Sequence, residues 1–267
     1  MVDLGFLLNA RQALLPLPLV DRMPAPPADV LPPFAERPAP ELAGREVAGS
    51  DGSAASVGLI GLARAFEEAG ERPAAIAACS ASALWGLMWA AGLSAGEMVR
   101  HALSWRPEPH LRVQWAGVPR LALSALRGFS GLEKHDAVEA LFDRRSWHMS
   151  AGSTAIPVRT LAYDLDARAF EWLGSEATPE LTVGELARVA VALPRKQDAV
   201  RIEGRFYVDA RAARGFGTDL LHDGSALQAG DAPWDFVGLF LDRRRWPQLI
   251  RAGYDDATRT RRPASPS

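Results

Sequence analysis

The stretch from Val57 to Gly92, VGLIGLARAFEEAGERPAAIAACSASALWGLMWAAG, constrains the fold more than any other part of the chain. Leu59, Leu62, Ala63 and Phe66 recur at helical spacing, and Gly70 reads as the C-terminal cap of that helix. After Pro73, PAAIAAC reads as a short buried strand, and a second helix is expected from about Ala81 to Ala91, ended by Gly92. Upstream, REVAG reads as another short strand and SDGSAAS as a loop of small residues. Strand, loop, helix, strand, turn, helix is the βαβ order that yields a parallel sheet covered by helices. The fold class is therefore α/β, expected as a three-layer α/β/α sandwich with a mainly parallel central sheet.

The rest of the chain fits one such body. With 267 residues, 48% of them hydrophobic, the chain can bury a sizeable core. Prolines crowd residues 16–40 and each removes a backbone donor, so residues 1–45 are expected to be an extended arm. Leu15, Leu17, Leu19, Val30, Leu31 and Phe34 are too apolar for a solvated linker, so the arm is expected to lie against the body as packing or as a lid. Residues 46–257 form the domain, and residues 258–267 are expected to be a mobile tail. Ser94, with Glu97 three residues on, signals a capping box. GLEKHDAVEALFD reads as helical, and IPVRTLAYDLDARAFEWLG as two strands joined through DLDAR. TPELTVGELARVAVALP reads as a helix closed by Pro194, and AVRIEGRFYVDA as a hairpin around Glu203-Gly204 that ends a strand at Asp209. A strand at DFVGLFL and a helix at RRRWPQLIRAGYDDA complete the series.

Charge and cysteine content narrow the function classes. A net charge of −2 gives no whole-chain field toward nucleic acid or an anionic membrane, so no nucleic-acid partner is expected. The arginine clusters DRRRW and RTRRP read as a solvated helix face and a frayed tail, with peripheral membrane contact as the alternative. Cys79 is the single cysteine, which excludes an intrachain disulfide and a multi-cysteine metal site and fits a reducing compartment. The first residues lack a basic leader, and no run reaches the roughly 20 apolar residues of a spanning helix. A cytoplasmic protein with no metal and no cofactor is expected.

Ser80, between a buried strand and a helix, is either a small residue packed at a bend or a nucleophile on a sharp turn. A hydroxyl attacks a carbonyl only with a base to take its proton and with donors for the oxyanion that forms. The G-x-S-x-G elbow needs small residues two before and two after the serine, and Ala78 and Ser82 occupy those places here. The first N–H groups of the following helix face the serine's end. None of His101, His110, His135, His148 and His222 sits where a triad base does, although His222 comes nearest. Asp209, at a strand end, is the better base candidate, and alone it is equally a turn-former.

In order along Glu46 to Gly253, the chain resembles the patatin-like acyl hydrolases. The loop ahead of GLARAFEEAG, the elbow at Ser80, the VAVALP stretch and IEGRFYVDARAARGF resemble that family's glycine-rich loop, G-x-S-x-G elbow, small-residue and proline stretch, and D-G-[GA] segment. The resemblance implies a patatin-like sheet, Ser80 as nucleophile, Asp209 as base, and backbone N–H groups of Gly52, Ser53 and Ala54 as oxyanion donors. It departs from the family at the loop, where Asp51 to Ser56 stand in place of G-G-G-x-R-G, and at Ala78, Ser82, Ala210 and Arg211. Arg211 is expected to favour the charged carboxylate of Asp209 and weaken it as a base.

The leading expectation is a serine-aspartate acyl hydrolase acting on a carboxylic ester of a lipid. Leu84, Trp85 and Met88, along the helix after Ser80, are expected to line the acyl pocket, against the reading that they are core. A patatin-like scaffold that binds without hydrolysing, and an acyltransferase using the same nucleophile, are the other readings.

Overall fold

The computed structural model describes residues 42–49, 54–104, 136–194, 197–213, 217, 220, 221, 226–228 and 246–258. Most of the proline-rich arm, Gly52 and Ser53, the strand expected at DFVGLFL, His110, His135, His222, the arginines of DRRRW and the tail beyond Thr258 lie outside the described residues.

β1 (Glu46–Gly49) leads through a 3-10 turn (Ala54–Val57) directly into α1 (Gly58–Ala69). Gly70, at φ 67°, closes α1 in the left-handed conformation that a side chain resists. β2 (Ala75–Ala78) then pairs parallel with β1, with Gly49 opposite Ala78. α2 (Ser80–Ala90) and α3 (Ala95–Ser104) follow, and Ser94 and Glu97 form the expected capping box. The segment expected to be helical before residue 144 contains α4 (Asp136–Glu139), followed by α5 (Arg144–Trp147).

β3 (Val158–Asp164) and β4 (Ala169–Gly174) form one antiparallel hairpin. α6 (Val183–Ala190) opens on a Thr182–Glu185 capping box and stops ahead of Pro194. β5 (Val200–Ile202) and β6 (Arg205–Asp209) form the second hairpin, turning at Glu203 and Gly204 with φ of 48° and 89°. Both turn residues are left-handed, the combination that matches strand twist in a two-residue hairpin loop. β7 (Leu227–Gln228) pairs parallel with β1, and α7 (Trp246–Thr258) packs on α1. That packing brings backbones together, since a Cβ on Gly61 would stand 1.9 Å from the Ile250 carbonyl oxygen.

The fold is α/β, a mixed sheet flanked by helices. The hydrogen-bonded path is β5-β6-β3-β2-β1-β7, with β4 on β3. β1-β2, β1-β7 and β2-β3 are parallel, while β3-β4, β3-β6 and β5-β6 are antiparallel, so among the described residues parallel pairs do not outnumber antiparallel ones. The reason is local: tight hairpins at Glu203-Gly204 and at residues 165–168 can join only antiparallel strands. Val47, Ile76, Ala78, Val158 and Ala162 share the large core with residues of α1, α2, α3, α6 and α7. Ala48, Ala77 and Leu161 alternate to the opposite face, in a smaller cluster with Cys79, Ala210, Leu221 and Ala226. A helical layer over that second face, expected for a three-layer sandwich, is not among the described residues.

Candidate active site

Strand β3 brings two distant parts of the chain to one place. β4 occupies one edge of β3 along Arg159 to Asp164, so β2 and β6 must share the other. β2 runs parallel to β3 and ends with Ala78 opposite Thr160, whereas β6 runs antiparallel and ends with Asp209 opposite Ala162. The two C-terminal ends therefore point at each other across Leu161. At about 3.3 Å per residue, the two levels are roughly 7 Å apart, a gap that short side chains close. Ser80, just past the end of β2, meets Asp209 there: its Oγ donates to Oδ2 at 2.8 Å, across 129 residues of sequence.

The turn that carries Ser80 is strained. Its φ is 53°, left-handed for a residue with a Cβ, while Cys79 before it is extended at φ −142° and ψ 166°. Conformations of this kind cost on the order of 1–3 kcal/mol and persist only where the surroundings impose them. Here the surroundings are close. A Cβ added to Gly49 would lie 2.7 Å from the Ser82 Cβ, and one on Gly86 would lie 3.0 Å from the Ile76 side chain. The helix after Ser80 thus sits directly on β1 and β2. Small residues at 78 and 82 meet the same steric need that glycine meets in the elbow pattern.

Asp209 is 1% exposed and Ser80 7%. The Asp209 Oδ1 accepts from the Arg211 N–H at 3.0 Å, as the cap of the short turn Ala210–Ala212, and its own N–H donates to the Ala192 carbonyl. Burial pushes the Asp209 carboxyl up to about 7, against the lowering pull of the Ser80 hydroxyl, the Arg211 N–H and the Arg211 charge. Arg211 acts in the expected direction, but desolvation is the larger effect. The net shift is therefore upward, toward the range in which a carboxylate takes up a proton most readily near neutral pH.

The other expected site residues fall differently. Ala54 begins the 3-10 turn that follows β1, and Gly49 and Ala78 are in register, so this turn and the Ser80 turn leave the sheet at the same end. That end is where α2 presents the N–H groups of its first turn, which have no partner within the helix. Leu84, Trp85 and Met88 are at most 3% exposed and belong to the large core. The Trp85 Nε1 donates to the Ser56 Oγ at 3.1 Å. No group of histidine, cysteine and acidic side chains able to hold a metal occurs among the described residues, and no described helix is long and apolar enough to cross a membrane.

Two features near the site carry no recognisable mark in the sequence. One is the Trp85–Ser56 bond, which joins two unremarkable small-residue contexts. The other is Thr160, fully buried with its Oγ1 unpartnered, beside Ala78 in the sheet and two residues from the partner of Asp209. A β-branched residue in a strand raises no flag by itself.

No protein-family model matches the chain, and no curated protein matches it. Among solved structures, VipD from Legionella pneumophila aligns over 71% of this chain and 50% of its own, at TM-score 0.41 and 12% identity. The type III effector protein ExoU aligns over 82% of this chain and 53% of its own, at TM-score 0.45 and 15% identity. The chain spans about half the length of either. Likeness at this level says nothing of chemistry, which has to be read from the chain's own residues.

Proposed function

We propose that this chain is a serine-aspartate acyl hydrolase that cleaves a carboxylic ester of a lipid through an acyl-enzyme. The observation that carries the proposal is the Ser80–Asp209 hydrogen bond on a left-handed elbow residue, in a buried setting that lifts the carboxylate toward neutrality. A serine that merely packs at a bend has no need of strained backbone or of a buried acid.

In the proposed reaction, Asp209 accepts the hydroxyl proton as the Ser80 Oγ bonds to the ester carbonyl carbon. The tetrahedral oxyanion takes hydrogen bonds from the first N–H groups of α2 and, as the family resemblance implies, from the backbone at Gly52, Ser53 and Ala54. Collapse expels the alcohol, which receives the proton from Asp209. A water then attacks the acyl-enzyme with Asp209 again as base, releasing the acid and restoring Ser80. Neither metal nor organic cofactor enters these steps. Leu84 and Met88 are the candidates to contact the acyl chain, while Trp85, expected with them, is held by Ser56.

Fluorophosphonate labelling tests the nucleophile directly. The wild-type chain should form a covalent adduct on Ser80 and hydrolyse p-nitrophenyl esters. Ser80→Ala should lose both, and Asp209→Asn should lose at least about a thousandfold in turnover. No adduct and no turnover would leave the scaffold reading in its place.

A further inference from the structure

We infer that Trp85 is a positioning residue: its indole N–H, bonded to Ser56, sets the distance between the Ser80 helix and the backbone segment that opens at Ala54. This rests on the hydrolase reading above and refines it.

One end of the bond, Trp85, is on α2, the helix that Ser80 begins, and the other, Ser56, is in the turn that opens at Ala54, the last of the proposed oxyanion donors. Both are buried, with Ser56 fully so, and the donor to acceptor distance is 3.1 Å. The indole has a single polar atom, a donor, and it is committed to Ser56. The ring itself meets the edge of Trp246 at 6.2 Å between centroids and 77° between planes. Trp246 opens α7, which packs on α1 immediately after the Ser56 turn. The ring is thus fixed by α7 on one side and by Ser56 on the other. A wall of an acyl pocket would instead need an open face.

Orientation of this kind affects rate more than binding. Nucleophile and oxyanion donors must converge on one carbonyl, and a displacement of about 1 Å can cost as much as a hundredfold. Because the oxyanion exists only in the transition state and intermediates, loosening the brace should lower kcat and spare KM.

The test uses the full chain as wild type, Trp85→Phe, Ser56→Ala and the double variant. Phenylalanine keeps a ring and removes the N–H, and the double variant leaves neither polar group orphaned. Turnover is measured on p-nitrophenyl acetate, butyrate and decanoate, with Tm followed in parallel. Each single variant should lose about tenfold or more in kcat on every ester, with KM within about twofold. The double variant should lose no more than the worse single, since one bond is being removed. A KM that rises with chain length while kcat holds would make Trp85 a pocket wall and overturn the inference. Unchanged kcat with lowered Tm, or losses that add, would overturn it as well. Failure of the hydrolase reading is distinguishable, because the wild type would then show no turnover on any ester.

Discussion

Two aspartates, each at the C-terminal end of a strand, are buried to within 1% of complete exclusion from solvent, yet their surroundings push their carboxyls in opposite directions. Asp164 ends β3, and burial pushes its carboxyl up, but the N–H groups of Ala167 and Asp166 and then the Arg205 guanidinium outweigh burial and hold it below its usual value. Asp209 ends β6, and with one backbone N–H and one hydroxyl it is left near 7. Both are closed off from solvent, but Asp209 lies deep in the body while Asp164 lies just beneath the surface under Arg205, so depth of burial and the number and charge of donors decide together. The first arrangement secures a hairpin: Arg205 reaches from β6 to Asp164 and to Glu171 on β4, and Glu171 also accepts from the Tyr207 hydroxyl. The second leaves a deeply buried carboxyl with few donors, at a cost in stability once it is charged.

The largest consequence is on rate. If Asp209 is the base, kcat/KM for an ester should fall tenfold per pH unit below about 7 and level off above it. A flat profile from pH 5 to pH 9 would mean that Asp209 is not the base.

Next in size are the opposite effects of two isosteric replacements. Asp209 has a folded-state value above its unfolded one, so it favours the fold below about pH 4, and that contribution disappears as pH rises through about 7. Asp209→Asn should therefore stabilise the protein at pH 8, by at most about 4 kcal/mol, and make little difference at pH 4. Asp164 is depressed, so its contribution is present above the unfolded value and lost as pH falls through the folded one. Asp164→Asn should destabilise at pH 7, by about 1–3 kcal/mol, with the difference shrinking in acid. Denaturant melts at pH 4 and pH 8 would show the crossing. Two shifts of the same sign would mean that the aspartates are not in the different environments described.

Smallest is Thr160→Val, which removes an unpartnered hydroxyl at nearly constant shape and should stabilise by about 1 kcal/mol. A loss of stability in urea melts would mean that the hydroxyl has a partner.

Much of this was legible in the sequence because the signals are local. Gly70 as a cap, the Ser94 capping pair and the Glu203-Gly204 turn each depend on residues within a few positions of one another. Ser80 could be singled out for the same reason, as a small residue between a strand and a helix. Its place at a strand end made Asp209 a candidate base, but only the resemblance set it above a turn-former, because no local pattern separates a catalytic aspartate from one that ends a strand. Among the described residues parallel and antiparallel pairs are balanced, which no local pattern signals because it depends on which edge of β3 each hairpin takes.

By itself the chain determined its helices, its hairpins and a tight turn with a serine in it, since sterics, capping and hydrophobic period act over a few residues. Only the tertiary structure decided that β2 and β6 meet end to end on β3, and so that a hydroxyl and a carboxylate stand 2.8 Å apart. It decided too that this carboxylate sits near neutrality while Asp164 is held acidic. Strand register and burial are properties of the whole packed body, and the energy of a charge depends on what the fold has placed around it.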